Sequence, residues 1–186
     1  MFKSLIMKTI LLLTIFILFG FTSFAQDLKA LDNKYGFQEA KFEMPPSSLE
    51  NLIPINALGD GFPDLKFYYK TNLGESTIGS SYIKRIWYQF YQDQLYEIKV
   101  DPDAHSDPNE ILGILETAYG KSRLVKKMSS TQCSYIWEGE KVSLFYYINK
   151  DSSALSLICK KFYPLVEASI KLANKQKIQN AAKKDL

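Results

Sequence analysis

Residues 82–100 read "YIKRIWYQFYQDQLYEIKV", two runs of β-branched and aromatic residues separated by polar ones. Side chains alternate across a strand, so Ile86, Tyr88 and Phe90 share one face of a first strand, and Tyr96, Ile98 and Val100 share one face of a second. A turn near Asp93 lets the two apolar rows meet. The opposite face carries Arg85, Trp87, Gln89, Tyr91, Glu97 and Lys99, polar enough for water yet holding two large aromatics.

Toward the C-terminus, "SDPNEILGILETAYGK" from Ser106 predicts a helix. Asp107 is its N-cap, Pro108 its first residue and Glu110 its third; Ile111, Leu112, Leu115, Ala118 and Tyr119 form one buried stripe, and Gly120 sits where a left-handed cap belongs. Strands resume as "CSYIWEGE", "KVSLFYYIN" and "ALSLICKKF", joined by turns at 138–141 and 149–153. From Pro164 the pattern is helical, amphipathic at first and nearly all polar by its end.

Toward the N-terminus, "LKFYYK" (65–70) is a strand, preceded by a Gly-, Pro- and Asp-rich loop from Asn56 and followed by a flexible "TNLGESTIGSS". A short helix is expected from Ser47, with Glu50 completing a capping box, Leu49, Leu52 and Ile53 as its apolar stripe and Pro54 ending it. Before it come a polar lead, a turn at Gly36 and a short alternating segment, Phe37 to Phe42. Hairpin-linked strands without βαβ alternation indicate an α+β fold, an antiparallel sheet of about six to seven short strands with two to three helices. Helix then three strands occurs at 47–100 and again at 107–162, which raises the idea of two weakly similar halves.

The first residues, "MFKSLIMKTILLLTIFILFGFTSFAQ", have the three parts of a secretory signal: Lys3 and Lys8, an apolar run from Ile10 to Phe21, and the small-x-small site Ser23-Phe24-Ala25. The run is shorter than the roughly 20 residues a spanning helix needs, and Gln26 stands where a lipoprotein would carry cysteine. The expected organisation is a signal peptide at 1–25, one α+β domain at 26–163 and a C-terminal amphipathic helix with a polar tail at 164–186. The formal charge of +3 falls to about +1 once Lys3 and Lys8 leave, which argues against nucleic acid as a partner. Cys133 and Cys159 are the only cysteines, and in an exported chain they fit either a disulfide or two buried thiols.

"DPDAHSDPNE" (101–110) gathers four acidic residues and the only histidine. A calcium loop would need glycine and glutamate where Ser106 and Leu112 stand, and a zinc site needs more ligands than His105 offers. The segment reads instead as a strand end, a solvated turn and a helix cap, with no metal and no cofactor expected. None of the common hydrolase, phosphate or dinucleotide motifs occurs, and among Asp64, Glu75, Glu97 and Glu138 nothing selects a glycosidase pair. Twelve tyrosines, twelve phenylalanines and two tryptophans remain as the signal. Most suit strands and core; Trp87 and Tyr91, beside Arg85, Gln89 and Lys99, form a mixture usual at protein interfaces, unless the C-terminal helix or a second sheet covers them.

"KYGFQEAKFEMPPSSLENL", "IKRIWYQFYQDQLYEIKV", "LETAYGKS" and "YIWEGEKVSLFYYINKDSSALSLI" together resemble a family of small secreted proteins of unknown function from Bacteroidota. The chain departs from that pattern at Glu43, where glycine is expected after the "KF" pair. The resemblance implies export and an α+β domain, and it carries over no catalytic residues. In architecture alone the chain is similar to tandem helix-plus-sheet modules such as the β-lactamase inhibitor proteins and small outer-membrane assembly lipoproteins, which bind proteins through their sheets. The expectation is a non-enzymatic, exported envelope protein, periplasmic or extracellular, that binds an envelope protein through Trp87, Tyr91, Arg85, Gln89 and Lys99. The alternatives are an envelope hydrolase acting on glycan or peptide, or a structural or carrier protein.

Overall fold

The structure, a computed structural model, describes residues 25–55, 62–129, 132–150 and 152–184. The expected signal segment up to Phe24 and the loop at 56–61 lie outside the described residues. The chain forms α1 (Ala25–Lys34), β1 (Gly36–Phe37), β2 (Ala40–Lys41), a 3-10 turn (Pro46–Ser48), β3 (Ile53–Pro54), β4 (Leu65–Lys70), β5 (Thr77–Ile78), β6 (Ser81–Tyr91) and β7 (Gln94–Pro102). Then come α2 (Pro108–Tyr119), β8 (Arg123–Ser129), β9 (Gln132–Glu138), β10 (Val142–Asn149), β11 (Ser152–Cys159) and α3 (Tyr163–Lys184).

The hairpin of residues 82–100 is β6 and β7. Ile86 pairs with Val100 and Tyr88 with Ile98, as the alternation requires, and Gln92 and Asp93, both at positive φ, make the two-residue turn. A bulge at Tyr96 changes the last pair: Leu95, not Tyr96, lies opposite Phe90, and the Tyr96 hydroxyl donates to Gln89 Oε1 at 2.9 Å. All strands pair antiparallel, in the order β3-β4-β6-β7-β11-β10-β9-β8, with β5 against β6 and β1 against β2. The sheet is therefore two antiparallel halves, β3-β4-β6-β7 and β8-β9-β10-β11, joined where β7 meets β11 through Val100 opposite Leu155 and Ile98 opposite Leu157.

The α+β antiparallel class holds, with more strands than the six to seven expected: nine in the main sheet and two in the β1-β2 hairpin. The additional ones are the two-residue β1, β2, β3 and β5, too short for an alternation to register, and β8, whose "RLVKKMS" is too basic to read as a strand. The helix expected at Ser47 is only the 3-10 turn. Pro45 precedes it with no side-chain cap, Leu49 is already extended, and Ile53-Pro54 continue into the edge strand β3.

The helix of the first half is α1, in the segment that reads as a polar lead. Only Leu28 and Leu31 give it an apolar side, and Leu31 is fully buried. A carboxylate fixes its position. Asp32 accepts the backbone N–H groups of Glu140, Lys141 and Val142 at 2.7–3.0 Å, and a Cβ on Gly139 would lie 2.3 Å from Asp32 Oδ1.

α2 keeps its expected start, Asp107 Oδ1 accepting from Asn109 N–H at 2.8 Å, and Gly120 ends it at positive φ (80) though with an extended ψ; of the expected stripe Ile111, Leu115 and Tyr119 are buried, Leu112 is half-buried and Ala118 is exposed. Both helices cover one face of the sheet, over Ile86, Tyr88, Ile98, Val100, Leu144, Leu155 and Leu157. Core aromatics keep their polar atoms paired there: Trp137 Nε1 donates to Gly120 O at 2.7 Å and the Tyr146 hydroxyl to Pro108 O at 3.0 Å. Among the described residues α3 packs by its start, through Val166 and Ile170, and by Ser169 Oγ, 3.3 Å from Asp64 Oδ2.

The disulfide alternative is contradicted. Cys133 on β9 faces Ile148 and Cys159 on β11 faces Val142, at opposite ends of the intervening β10. Six residues of strand separate them by about 20 Å, whereas bridged Cα atoms lie within about 7 Å. Two free thiols are expected by thiol titration in denaturant, with only the half-buried Cys133 reacting before unfolding; a mass two protons short in the non-reduced protein would refute this arrangement.

Burial raises the Tyr146 phenol to about 12, and it pushes Tyr88, Tyr96 and Tyr119 up as well. Unfolded phenols ionise near 10, so above that pH the unfolded chain holds fewer protons than the native one. Stability should be insensitive to these groups below about pH 10 and fall steadily from there towards about 12. Urea midpoints across this range, read with phenolate absorbance, check it: ionisation should accompany unfolding.

Candidate functional site

The face of the sheet away from α1 and α2 carries the residues singled out from sequence. Register places them in rows across the strands. One row runs Tyr69, Trp87, Lys99, Ser156, Phe145, Ile136, Arg123, and the next runs Phe67, Gln89, Glu97, Ile158, Ser143, Glu138. Arg85 lies opposite Asp101 and Leu65 opposite Tyr91.

Trp87 is the centre of the best-defined cluster. Its indole N–H donates to Asp101 Oδ2 at 2.7 Å, its ring lies 5.7 Å from Tyr69, and the Arg85 guanidinium sits 4.6 Å above it and 5.9 Å from Tyr69. Arg85 Nε is 3.8 Å from the same Asp101 oxygen, too far for a hydrogen bond, and it is shielded from solvent with no hydrogen-bond partner among the described residues. Trp87, Arg85 and Tyr69 are half-buried.

The other expected residues have their own partners. Gln89 holds Tyr96, and Lys99 lies 3.3 Å from Glu97, which accepts from Ser156 Oγ at 2.7 Å. Tyr91 is six residues along β6 from Arg85, and its ring packs 6.4 Å from Phe162, just before α3. The C-terminal helix thus meets the Tyr91 end of the face, while the Trp87 end stays partly open. Tyr69 and Asp101 belong to the site and were missed; counting by twos from Lys99 reaches Asp101.

The acidic residues around His105 do not converge. Asp101 serves Trp87, Asp103 accepts the His105 backbone N–H at 3.0 Å, and Asp107 caps α2. Among the described residues no three His, Cys, Asp or Glu side chains form a metal-binding group. Of the carboxylates considered as a hydrolytic pair, Glu97 and Glu138 share a row but stand three strands apart, about 14 Å, beyond the roughly 6.5–9.5 Å an inverting glycosidase uses.

A second cluster lies on the other side of the sheet end. Tyr35 donates to Glu43 Oε1 at 2.6 Å and lies 3.3 Å from the buried Cys159 Sγ, while Lys161 pairs with the other Glu43 oxygen. The Lys161 and Tyr35 hydrogen bonds hold the Glu43 carboxyl below its usual range, whereas burial, with Cys159 and Glu43 alongside, pushes the Tyr35 phenol well up. Tyr35 and Glu43 both have positive φ, 45 and 70. These interactions hold the β1–β2 segment against the end of β11.

A protein-family model described as the TP0088 domain matches residues 35–147. No curated protein matches the chain. A similar solved structure is that of a DUF4309 family protein (YjgB) from Bacillus subtilis subsp. subtilis str. 168, 14% identical, with a TM-score of 0.34, over 73% of this chain and 97% of that one.

Glu43 stands where the sequence resemblance leads one to expect glycine, and its φ of 70 is the left-handed region glycine favours. Glu43→Gly and Glu43→Ala both lose the bonds to Tyr35 and Lys161, and only the glycine relieves the backbone. The alanine variant should be less stable than the glycine variant by about 1 kcal/mol in urea unfolding; equal stabilities would show that the backbone there relaxes.

Proposed function

Taking as its premise that the chain belongs to the TP0088 domain family, we propose that it is a non-enzymatic, exported cell-envelope protein of the Bacteroidota that binds a protein partner through the sheet face around Trp87. The observation that carries this reading is the Tyr69–Trp87–Arg85–Asp101 cluster, a half-exposed aromatic and arginine group on the face away from α1 and α2. Tryptophan, tyrosine and arginine are the side chains that dominate binding energy at protein interfaces. The half-exposed Arg85 guanidinium, with only a long contact to Asp101 among the described residues, is suited to donate to a carboxylate or carbonyl of a partner.

Export rests on the three-part N-terminal signal, with cleavage after Ala25. The protein recovered from the producing cell should then begin at Gln26 and fractionate with the periplasm or medium; an intact N-terminus in the cytoplasm would contradict this.

The fluorescence of the folded protein tests the face directly. Trp137 is 1% exposed, so collisional quenching by acrylamide or iodide reports Trp87. One of the two emitters should quench strongly, and Trp87→Ala should remove that component and lower partner capture from envelope extracts at least tenfold, with Tyr69→Ala doing the same. Capture that is indifferent to both substitutions would refute the binding role of this face.

A further inference from the structure

On the face of the sheet away from α1 and α2, a groove of about 270 Å³ lies between the strands and the start of α3. Register builds its floor. Ile158 of β11, Ser143 of β10 and Glu138 of β9 lie side by side in one row, and Phe145 stands next along β10 on the same face. The Phe145 ring is held by stacking on Tyr147, with centroids 6.1 Å apart and planes 8° from parallel. Tyr163, at the start of α3, forms another wall and is 48% exposed. Phe145 and Ile158 are half-buried, so solvent reaches the apolar lining as well as the rim.

The charged residues lining the groove are Glu138 and Lys160, and each has a partner. Arg123 donates to Glu138 Oε2 at 2.5 Å, which leaves Oε1 without one among the described residues, and Lys160 donates to the Gly139 carbonyl at 2.9 Å. One carboxylate and one ammonium balance, so the groove favours neither an anion nor a cation. It offers two aromatic rings and an aliphatic side chain, with the Ser143 hydroxyl and a carboxylate oxygen among them. A pyranose has the matching pattern, apolar C–H faces and a rim of hydroxyls. The volume falls just short of the roughly 300 Å³ at which pockets for drug-sized molecules begin, which suits a single ring.

We propose that this groove binds a neutral sugar ring, with a C–H face of the pyranose on Tyr163 and Phe145 and its hydroxyls at Ser143 and Glu138. Phe145 lies in the same row as Trp87 but three strands away, about 14 Å, so this site stands or falls independently of the cluster around Trp87.

NMR titration of the purified protein with the methyl β-pyranosides of glucose, galactose and N-acetylglucosamine tests the assignment. At least one should bind saturably, in the millimolar range expected of so small a ligand, and glucuronate and glucosamine should bind at least about tenfold more weakly than the best of the three. Tyr163→Ala, at an exposed position, should weaken binding at least about tenfold while circular dichroism stays unchanged. Tyr163→Phe should keep the affinity, because the ring and not the hydroxyl makes the stack, and Trp87→Ala should leave it as it was. Saturable binding of none of the three, equal binding of the charged sugars, binding that survives Tyr163→Ala, or binding lost in Trp87→Ala would each overturn the proposal.

Discussion

The pairing of β7 with β11 is the constraint on which the remaining structure depends. Each half alone is a four-stranded ribbon with one apolar face and little to bury it against. Joining them through Val100, Ile98, Leu155 and Leu157 creates a continuous floor wide enough for both α1 and α2. The helices then bury against residues from both halves at once, and side chains of the second half, Trp137 and Tyr146, reach backbone carbonyls at the two ends of α2. Removing the central pair would therefore separate more than two strands: it would divide the core.

The two faces of that sheet solve different physical problems. On the helix side, large rings are buried, and the polar atoms of Trp137 and Tyr146 are paired with backbone carbonyls, which favours a single packing. On the other side, the polar groups form short local networks, Trp87 with Asp101 and Glu97 with Ser156 and Lys99, that keep the aromatics oriented without covering them. Such a surface is preorganised, and its rings need little further ordering when another surface meets them.

Much of the fold was legible because long strands and a capped helix announce themselves locally. The β6–β7 alternation, the Asp107-Pro108 helix start and the Gly120 stop each follow from neighbouring residues. The failures share a cause. α1 has only two leucines to show for itself, and its place is set by the Asp32 contact with a turn more than a hundred residues away. Ser47 and Glu50 form a good capping pair locally, but flanking prolines and the β3–β4 pairing overrule it. The same limit applies to the site: Arg85, Trp87, Gln89, Tyr91 and Lys99 were placed on one face by counting, whereas Tyr69 entered only through the β4–β6 register and Cys159 through its contact with Tyr35. Local rules reach along a strand, and the assembly of a site needs register.

The Asp32 clamp also has a temporal meaning. Its carboxylate is held by the backbone N–H groups of Glu140, Lys141 and Val142, separated from it by 108 to 110 positions of chain. The α1 contact is thus among the most distant in the chain, and closing it costs the entropy of a loop of more than a hundred residues. Contacts of such sequence separation raise the contact order, which goes with slower folding than local pairing allows.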